Sequence, residues 1–248
     1  MRAKKTQAIA HRGYKAIYPE NTMLSFKGAV EAGAHAIETD LHLTRDGVVV
    51  ISHDATLKRC FGVDRKIIDC DWEEIKTLRT LKEPGQPMPT LREVVEYLAT
   101  SELEAKGVWL LLDIKIDSPA DDIMRLTAET ISKVHEGTEY WGGRIVLGCW
   151  TLKYLPVSER IHHIGYSIPY AQQFLDHQDV GVNMFWPVMQ TAAGKAFLEE
   201  LKDAGRSVFV WNINNDAGMK WAIANEYIDG VCTDDPVKFL KYVTPDNI

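Results

Sequence analysis

The chain has 248 residues, 46% of them hydrophobic and 25% charged, enough for the core of one large domain or two small ones. A net charge of −7 argues against bulk attraction to nucleic acid or an anionic membrane, so an anionic substrate would have to be met by local positive charge. Four cysteines without Cys-x-x-Cys spacing argue against a thiolate metal site, and no apolar run reaches the ~18 residues that a membrane span requires.

Met1 to Thr6 runs directly into a strand and leaves no room for a signal-peptide apolar region. With Cys149 and Cys232 in apolar, strand-like runs as expected free thiols, this points to the reducing, cytoplasmic side and not to secretion. The first strand is expected over Gln7–His11, ending in His11-Arg12-Gly13. Asn21 reads as the N-cap of a helix to about Glu31, closed by Gly33. Ala36 to Asp54 reads as a hairpin turning at Arg45-Asp46-Gly47, because glycine accepts the positive φ of a tight turn. Side chains alternate along a strand, so Glu38, Asp40 and His42 share one face, and the return strand brings His53 back to about the level of Glu38.

Residues 55–89 break the rhythm with a short helix start at Asp71-Trp72-Glu73 and a turn-rich run from Glu83 to Pro89, and read as an insertion after the second barrel strand. A helix follows over Thr90 to Leu98, then a strand over Val108–Ile114 and a helix over Asp121 to His135. Further strands are expected over Arg144–Trp150, His162–Ile168, Val180–Trp186, Ser207–Ile213 and Ile228–Thr233, with helices between them. Lys195–Leu201 is the clearest of these helices, and Pro236–Val243 the last. Setting aside the return strand of the hairpin, eight βα units of near-continuous apolar strands predict an α/β (β/α)8 TIM barrel as a single domain. The rival, an open doubly wound sheet, would favour a glycine-rich loop after the first strand, and His11-Arg12-Gly13-Tyr14 is not one.

The active site of such a barrel lies at the C-terminal ends of its strands, where polar residues recur: His11-Arg12, Glu38-x-Asp40, Asp113-x-Lys115, Trp211-x-x-Asn214 and Thr233-Asp234-Asp235. A solvated strand face would explain one acidic ending. Core-like flanks and repetition favour Glu38, Asp40 and Asp113 as an all-oxygen ligand set for one divalent cation, Mg²⁺ or Ca²⁺. His11 and His53 are the acid/base candidates, and Arg12 and Lys115 supply fixed positive charge for phosphate oxygens. No Gly-x-Ser-x-Gly elbow offers a serine nucleophile, so the set suits phosphoryl-ester chemistry better than acyl transfer. His42 reads as hairpin surface or as support behind Asp40, and His35, His135, His162, His163 and His177 as surface or packing residues. Trp211 reads as core or as a substrate platform, and Glu20 as a loop charge or a support for the site. Phe61, Trp72, Phe185 and Trp186 fall where they could touch lipid or pack the barrel.

The motifs His11-Arg12-Gly13, Pro19-Glu20-Asn21-Thr22, Glu38-Thr39-Asp40, Thr44-x-Asp46-Gly47, His53-Asp54, Trp211-x-x-Asn214 and Asp229-Gly230-x-x-Thr233-Asp234-x-Pro236 resemble those of the glycerophosphodiester phosphodiesterase family, in the same order. Within it the chain is most similar to the fungal phosphatidylglycerol phospholipase C group, through Tyr14-Lys15-Ala16-x-Tyr18, Leu111-Leu112-Asp113-Ile114-Lys115 and Gly148-x-Trp150. The resemblance implies a TIM barrel with an insertion at about 55–89. It implies His11 and His53 as catalytic pair, Glu38, Asp40 and Asp113 as metal ligands, and Arg12, Lys115 and Trp211 at the substrate, with Glu20, Asn21 and Asn214 behind them. The implied reaction passes through a cyclic phosphate, converting phosphatidylglycerol to diacylglycerol and glycerol phosphate. Peripheral membrane contact is expected to accompany it. The alternatives are a soluble glycerophosphodiesterase releasing glycerol 3-phosphate from deacylated phospholipids, and a non-catalytic lipid- or metal-binding barrel.

Overall fold

The computed structural model describes residues 6–157, 160–177 and 179–243; the N-terminal stretch 1–5, on which the expectation of no leader rests, lies outside them. Among these residues nine strands form one sheet: β1 (Gln7–His11), β2 (Ala36–Leu43), β3 (Val49–Ile51), β4 (Trp109–Ile114), β5 (Ile145–Cys149), β6 (Ile161–Gly165), β7 (Gly181–Phe185), β8 (Val208–Trp211) and β9 (Gly230–Thr233). Eight are parallel and close through β1–β2 pairing into a barrel of order β1-β2-β4-β5-β6-β7-β8-β9; β3 folds back antiparallel on β2. The strands read as apolar runs because both faces are covered, one by the barrel interior and one by helices.

The helices are α1 (Met23–Glu31), α2 (Lys58–Phe61), α3 (Trp72–Ile75), α4 (Leu91–Leu98), α5 (Ser101–Lys106), α6 (Ala120–Val134), α7 (Thr138–Trp141), α8 (Ile168–Gln172), α9 (Trp186–Met189), α10 (Ala192–Asp203), α11 (Asp216–Ala224) and α12 (Pro236–Val243). Thr22, not Asn21, caps α1: its hydroxyl accepts from the Ser25 amide, and the Ser25 hydroxyl accepts from the Thr22 amide. Such a cap is worth about 1 kcal/mol. The sixth strand also departs from expectation. It stops at Gly165, because Pro169 opens α8 within its first turn. Among the described residues the β5–β6 connection holds only a 3-10 helix, Leu152–Val157, instead of an α-helix.

One apolar cluster inside the barrel joins Ile9, Ala36, Trp109, Leu111, Val146, Phe209 and Cys232. Trp109 and Phe209 stack at 5.4 Å near its N-terminal end, and Trp109 Nε1 donates to Gln7. Period-two alternation from Ile9, Ala36 and Leu111 sends His11, Glu38, Asp40 and Asp113 to the same inward side, two or four residues nearer the C-terminal mouth. Residues 55–89 gather their own cluster around Leu57, Phe61, Ile67, Cys70, Ile75 and Met88 against Val50 of β3. Phe61 is therefore buried, and Trp72 and Trp186 pack against apolar clusters, so these aromatics are poor lipid contacts. No helix among the described residues is long and apolar enough to cross a membrane.

Candidate active site

Strand register builds the acidic group. His11 pairs with Glu38 across β1 and β2, and Asp40 pairs with Asp113 across β2 and β4. Glu38, Asp40 and Asp113 are all buried and each offers a carboxylate oxygen within 4.8 Å of the others. Three carboxylates cannot be gathered away from water without compensation. Lys115 Nζ lies 2.7 Å from Asp40 Oδ1 and 2.5 Å from Asp113 Oδ2, and Arg12 Nε lies 3.5 Å from Asp40 Oδ2. Burial alone would raise the pKa of Asp40, but Lys115 and Arg12 overcome it and hold this carboxyl below the usual range. Glu38 goes the other way: burial, reinforced by the charges of Asp40 and Asp113, pushes it well up. Burial and Asp40 likewise raise Asp113, against the pull of Lys115. Three buried carboxylates converging on one point make an all-oxygen donor set, which fits a hard divalent cation.

The two histidines flank this group. His11 Nδ1 is 2.6 Å from Asp234 Oδ1 at the end of β9, and the Asn212 amide nitrogen lies 2.7 and 2.9 Å from its two ring nitrogens. Asn214 donates to Asp234 Oδ2 at 3.0 Å, while its own Oδ1 accepts from the Asp234 amide and the Thr233 hydroxyl. His53 follows β3, where the Ser52 amide still bonds to Asp40 O, and its Nδ1 is 2.8 Å from Asp54 Oδ1. Burial lowers the pKa of both imidazoles, opposed at His11 by the Asp234 hydrogen bond and at His53 by the charge of Asp40.

Backbone strain marks the first loop. Arg12 and Asn21 both take left-handed φ, +56° and +54°, which costs a non-glycine residue of order 1–3 kcal/mol. The return is geometric. The Arg12 amide donates to Glu38 Oε2 at 2.9 Å, and Asn21 Nδ2 donates to Asp40 Oδ2 at 2.8 Å while its Oδ1 accepts from Thr39. Asn21 thus serves the acidic group and leaves the capping to Thr22. Glu20 accepts from Arg12 and from Arg59; burial opposes its ionisation, but the two guanidiniums hold its pKa down to about 2.

On the far side Trp150 Nε1 donates to Asp113 Oδ1 at 2.7 Å, and its ring meets Trp211 edge-on at 6.0 Å. Trp211 donates to Asn183 O and tilts against Phe185 at 5.1 Å, giving the mouth an aromatic wall. His42 is buried and bonded to Ser52 O and Asp117, so it is not hairpin surface. His162 and His163 are buried packing residues, stacked on Phe209 and Phe174.

The candidate catalytic, metal-ligating and substrate-facing residues therefore lie at one mouth of the barrel, whereas Phe61 and Trp72 pack within segment 55–89. Sequence reasoning assigned no role to Asp54, Arg59, Trp150, Asn212 or Asp234. Asp234 reads from the sequence only as a strand ending and as part of a motif; its link to His11, like that of Asn212, spans more than 200 residues and has no local signal.

Acids, cations and paired imidazoles at a barrel mouth, without a serine elbow, make a working surface for a hydrolase of phosphate esters. Known proteins bear this out. Residues 11–238 match the glycerophosphoryl diester phosphodiesterase family, and the chain belongs to that family. It is accordingly a phosphoric diester hydrolase. It is 28% identical over 249 residues to the glycerophosphodiester phosphodiesterase of Caldanaerobacter subterraneus subsp. tengcongensis, covering 96% of this chain and 98% of that protein. Among solved structures it resembles the glycerophosphodiester phosphodiesterase of Thermotoga maritima, with 27% identity, a TM-score of 0.76 and coverage of 96% and 98%. It also resembles an Oleispira antarctica phosphodiesterase in complex with the product sn-glycerol-3-phosphate, with 25% identity, a TM-score of 0.79 and 96% of both chains covered.

Proposed function

We propose that the protein hydrolyses a diester carried on glycerol, with His11 and His53 as the acid/base pair and Glu38, Asp40 and Asp113 holding one divalent cation. The observation that carries this reading is the convergence of the three carboxylates between the two imidazoles. When bound, such a cation would supply Lewis-acid stabilisation of charge on the phosphoryl oxygens. Arg12 and Lys115 neutralise the remaining phosphate charge, and Trp211 borders the glycerol.

One histidine takes the proton of the glycerol hydroxyl next to the phosphate as that oxygen bonds to phosphorus. The other protonates the departing oxygen. Water then opens the cyclic phosphate with the roles reversed, returning a proton to the glycerol oxygen. Each transfer is worth about 10²–10⁴ in rate. Asp234 and Asp54 stabilise the charged imidazole that forms at each stage.

Phosphatidylglycerol, cleaved to diacylglycerol and glycerol phosphate, is the proposed substrate. Support comes from where apolar surface is left exposed. Among the described residues the exposed large apolar side chains are Ile17, Leu81, Ile116 and Tyr166. Ile17, Ile116 and Tyr166 follow the C-terminal ends of β1, β4 and β6. Leu81 belongs to the 55–89 segment, where its neighbour Lys82 bonds to Lys15 O and Tyr18 O of the β1–α1 loop. All four therefore rim the mouth, where peripheral contact with a lipid surface would place them. A deacylated glycerophosphodiester is the second reading, favoured by the names of the relatives above. A lysophospholipase D from Rattus norvegicus, 25% identical over 95% of this chain, is a relative whose name points to lipid.

Rates on phosphatidylglycerol vesicles and on glycerophosphoglycerol decide between the two readings. Faster turnover of the vesicles, slowed by Ile17→Ser with Leu81→Ser, supports the lipid; faster turnover of the soluble diester overturns it. His11→Ala and His53→Ala should each nearly abolish turnover of either substrate with circular dichroism unchanged. An analogue lacking the neighbouring hydroxyl should not turn over, and full turnover would rule out the cyclic route.

A further inference from the structure

The geometry points to Arg59 as a positioning residue that couples segment 55–89 to the orientation of His53 and Arg12. It rests on the reading of His53 as a catalytic group. Arg59 lies in the four-residue helix α2, outside the barrel, and its side chain is 48% exposed. All three guanidinium nitrogens are nevertheless committed inward. Nε donates to Asp54 Oδ2 at 2.6 Å, and Nη1 and Nη2 donate to the two oxygens of Glu20 at 3.0 and 2.8 Å.

Each carboxylate that Arg59 grips has its other duty in the site. The second oxygen of Asp54 meets His53 Nδ1 at 2.8 Å. Glu20 Oε1 also accepts from Arg12 Nη1 at 2.9 Å, and Arg12 in turn donates its amide to Glu38. The chain of contacts therefore runs from His53 through Asp54, Arg59, Glu20 and Arg12 to the acidic group. Asp54 alone could rotate about its χ angles. With Oδ2 pinned by Arg59, the plane of its carboxylate is set. Oδ1 then accepts the Nδ1 proton and leaves Nε2 of His53 as the nitrogen free to exchange a proton with substrate. A lysine could carry the charge, but its ammonium is a single point and cannot bridge two carboxylates with the fork of a guanidinium.

An exposed surface pair contributes little to stability. The expected effect of losing Arg59 is on turnover, since partners behind a catalytic or metal site typically cost 10–100-fold when removed. The test is a double-mutant cycle on the full chain, with kcat and KM measured on a glycerophosphodiester and corrected for folded fraction. Arg59→Ala should lower kcat about tenfold or more. Arg59→Lys should not restore it. Arg59→Met, which keeps the aliphatic stem, is measured beside them in case alanine does not fold. Arg59→Ala combined with Asp54→Ala should be little worse in kcat than Asp54→Ala alone, because both remove the same hold on His53, while loss of the Glu20–Arg12 arm should raise KM in the double variant as it does in Arg59→Ala. Unchanged kcat per folded molecule in Arg59→Ala and Arg59→Met, full rescue by lysine, or losses that multiply in the double variant would each overturn the inference. Failure of the underlying reading would look different: His53→Ala would itself stay active.

Discussion

His11 Nδ1 sits 2.6 Å from Asp234 Oδ1, so the first strand of the barrel and the end of the last supply the two halves of one hydrogen-bonded pair. Barrel closure makes this possible, since β1 pairs directly with β9. Asp234 stabilises a protonated His11 and fixes its Nδ1 side. Asp234→Asn should therefore lower kcat by about 10²-fold or more, the scale of one general acid/base contribution, with a smaller change in KM. Steady-state kinetics on a glycerophosphodiester check this, and wild-type kcat in the variant would show that His11 needs no such partner.

Gly13 holds the first loop against α1. Its φ is +79°, and a Cβ placed there would lie 2.3 Å from Ser25 Oγ and 2.7 Å from the Ser25 carbonyl carbon. Gly13→Ala should cost of order 1–3 kcal/mol from the backbone alone, with further loss from the contact, and should displace the adjacent Arg12. Urea denaturation measures the first effect and KM the second. A variant as stable as wild type would mean that this loop moves freely.

Acid should weaken the fold through His162, which is buried against Phe209 and bonded to Ser207. Burial pushes its pKa down from 6.5 to about 3. The unfolded chain binds this proton near pH 6.5 and the folded chain only near 3, so stability present above pH 6.5 is lost progressively as pH falls between those values. At pH 5 the loss is about 2 kcal/mol from this one residue. Denaturant titrations at pH 7 and pH 5 should show His162→Gln losing less stability on acidification than wild type. Equal losses would place the acid sensitivity elsewhere.

Much of this was legible in the sequence. Strand alternation put Glu38 and Asp40 on one face, and the βα rhythm put Asp113, Trp211 and Asn214 at strand ends; the closed barrel then brought them together. What escaped depended on contacts between distant residues or on local choices with two good answers. Asn21 is a sound N-cap by residue type, but Thr22 follows it, and Asn21 is worth more bonded to the buried Asp40. Asp234 is one of two adjacent aspartates, and only the β1–β9 pairing shows which of them reaches His11. The aromatics of segment 55–89 read as lipid contacts or as core, with packing the better reading for Trp72; Phe61 lies in the segment's own cluster with Trp72 packed against it, and Leu81 is exposed instead.

Hydrolysis of a glycerophosphodiester by the purified protein, before and after chelation of divalent cations, tests the central claim most directly. Chelation should abolish turnover, and Mg²⁺ or Ca²⁺ should restore it, at a higher concentration for Asp113→Asn than for wild type. Full turnover in excess chelator would contradict a cation held by Glu38, Asp40 and Asp113.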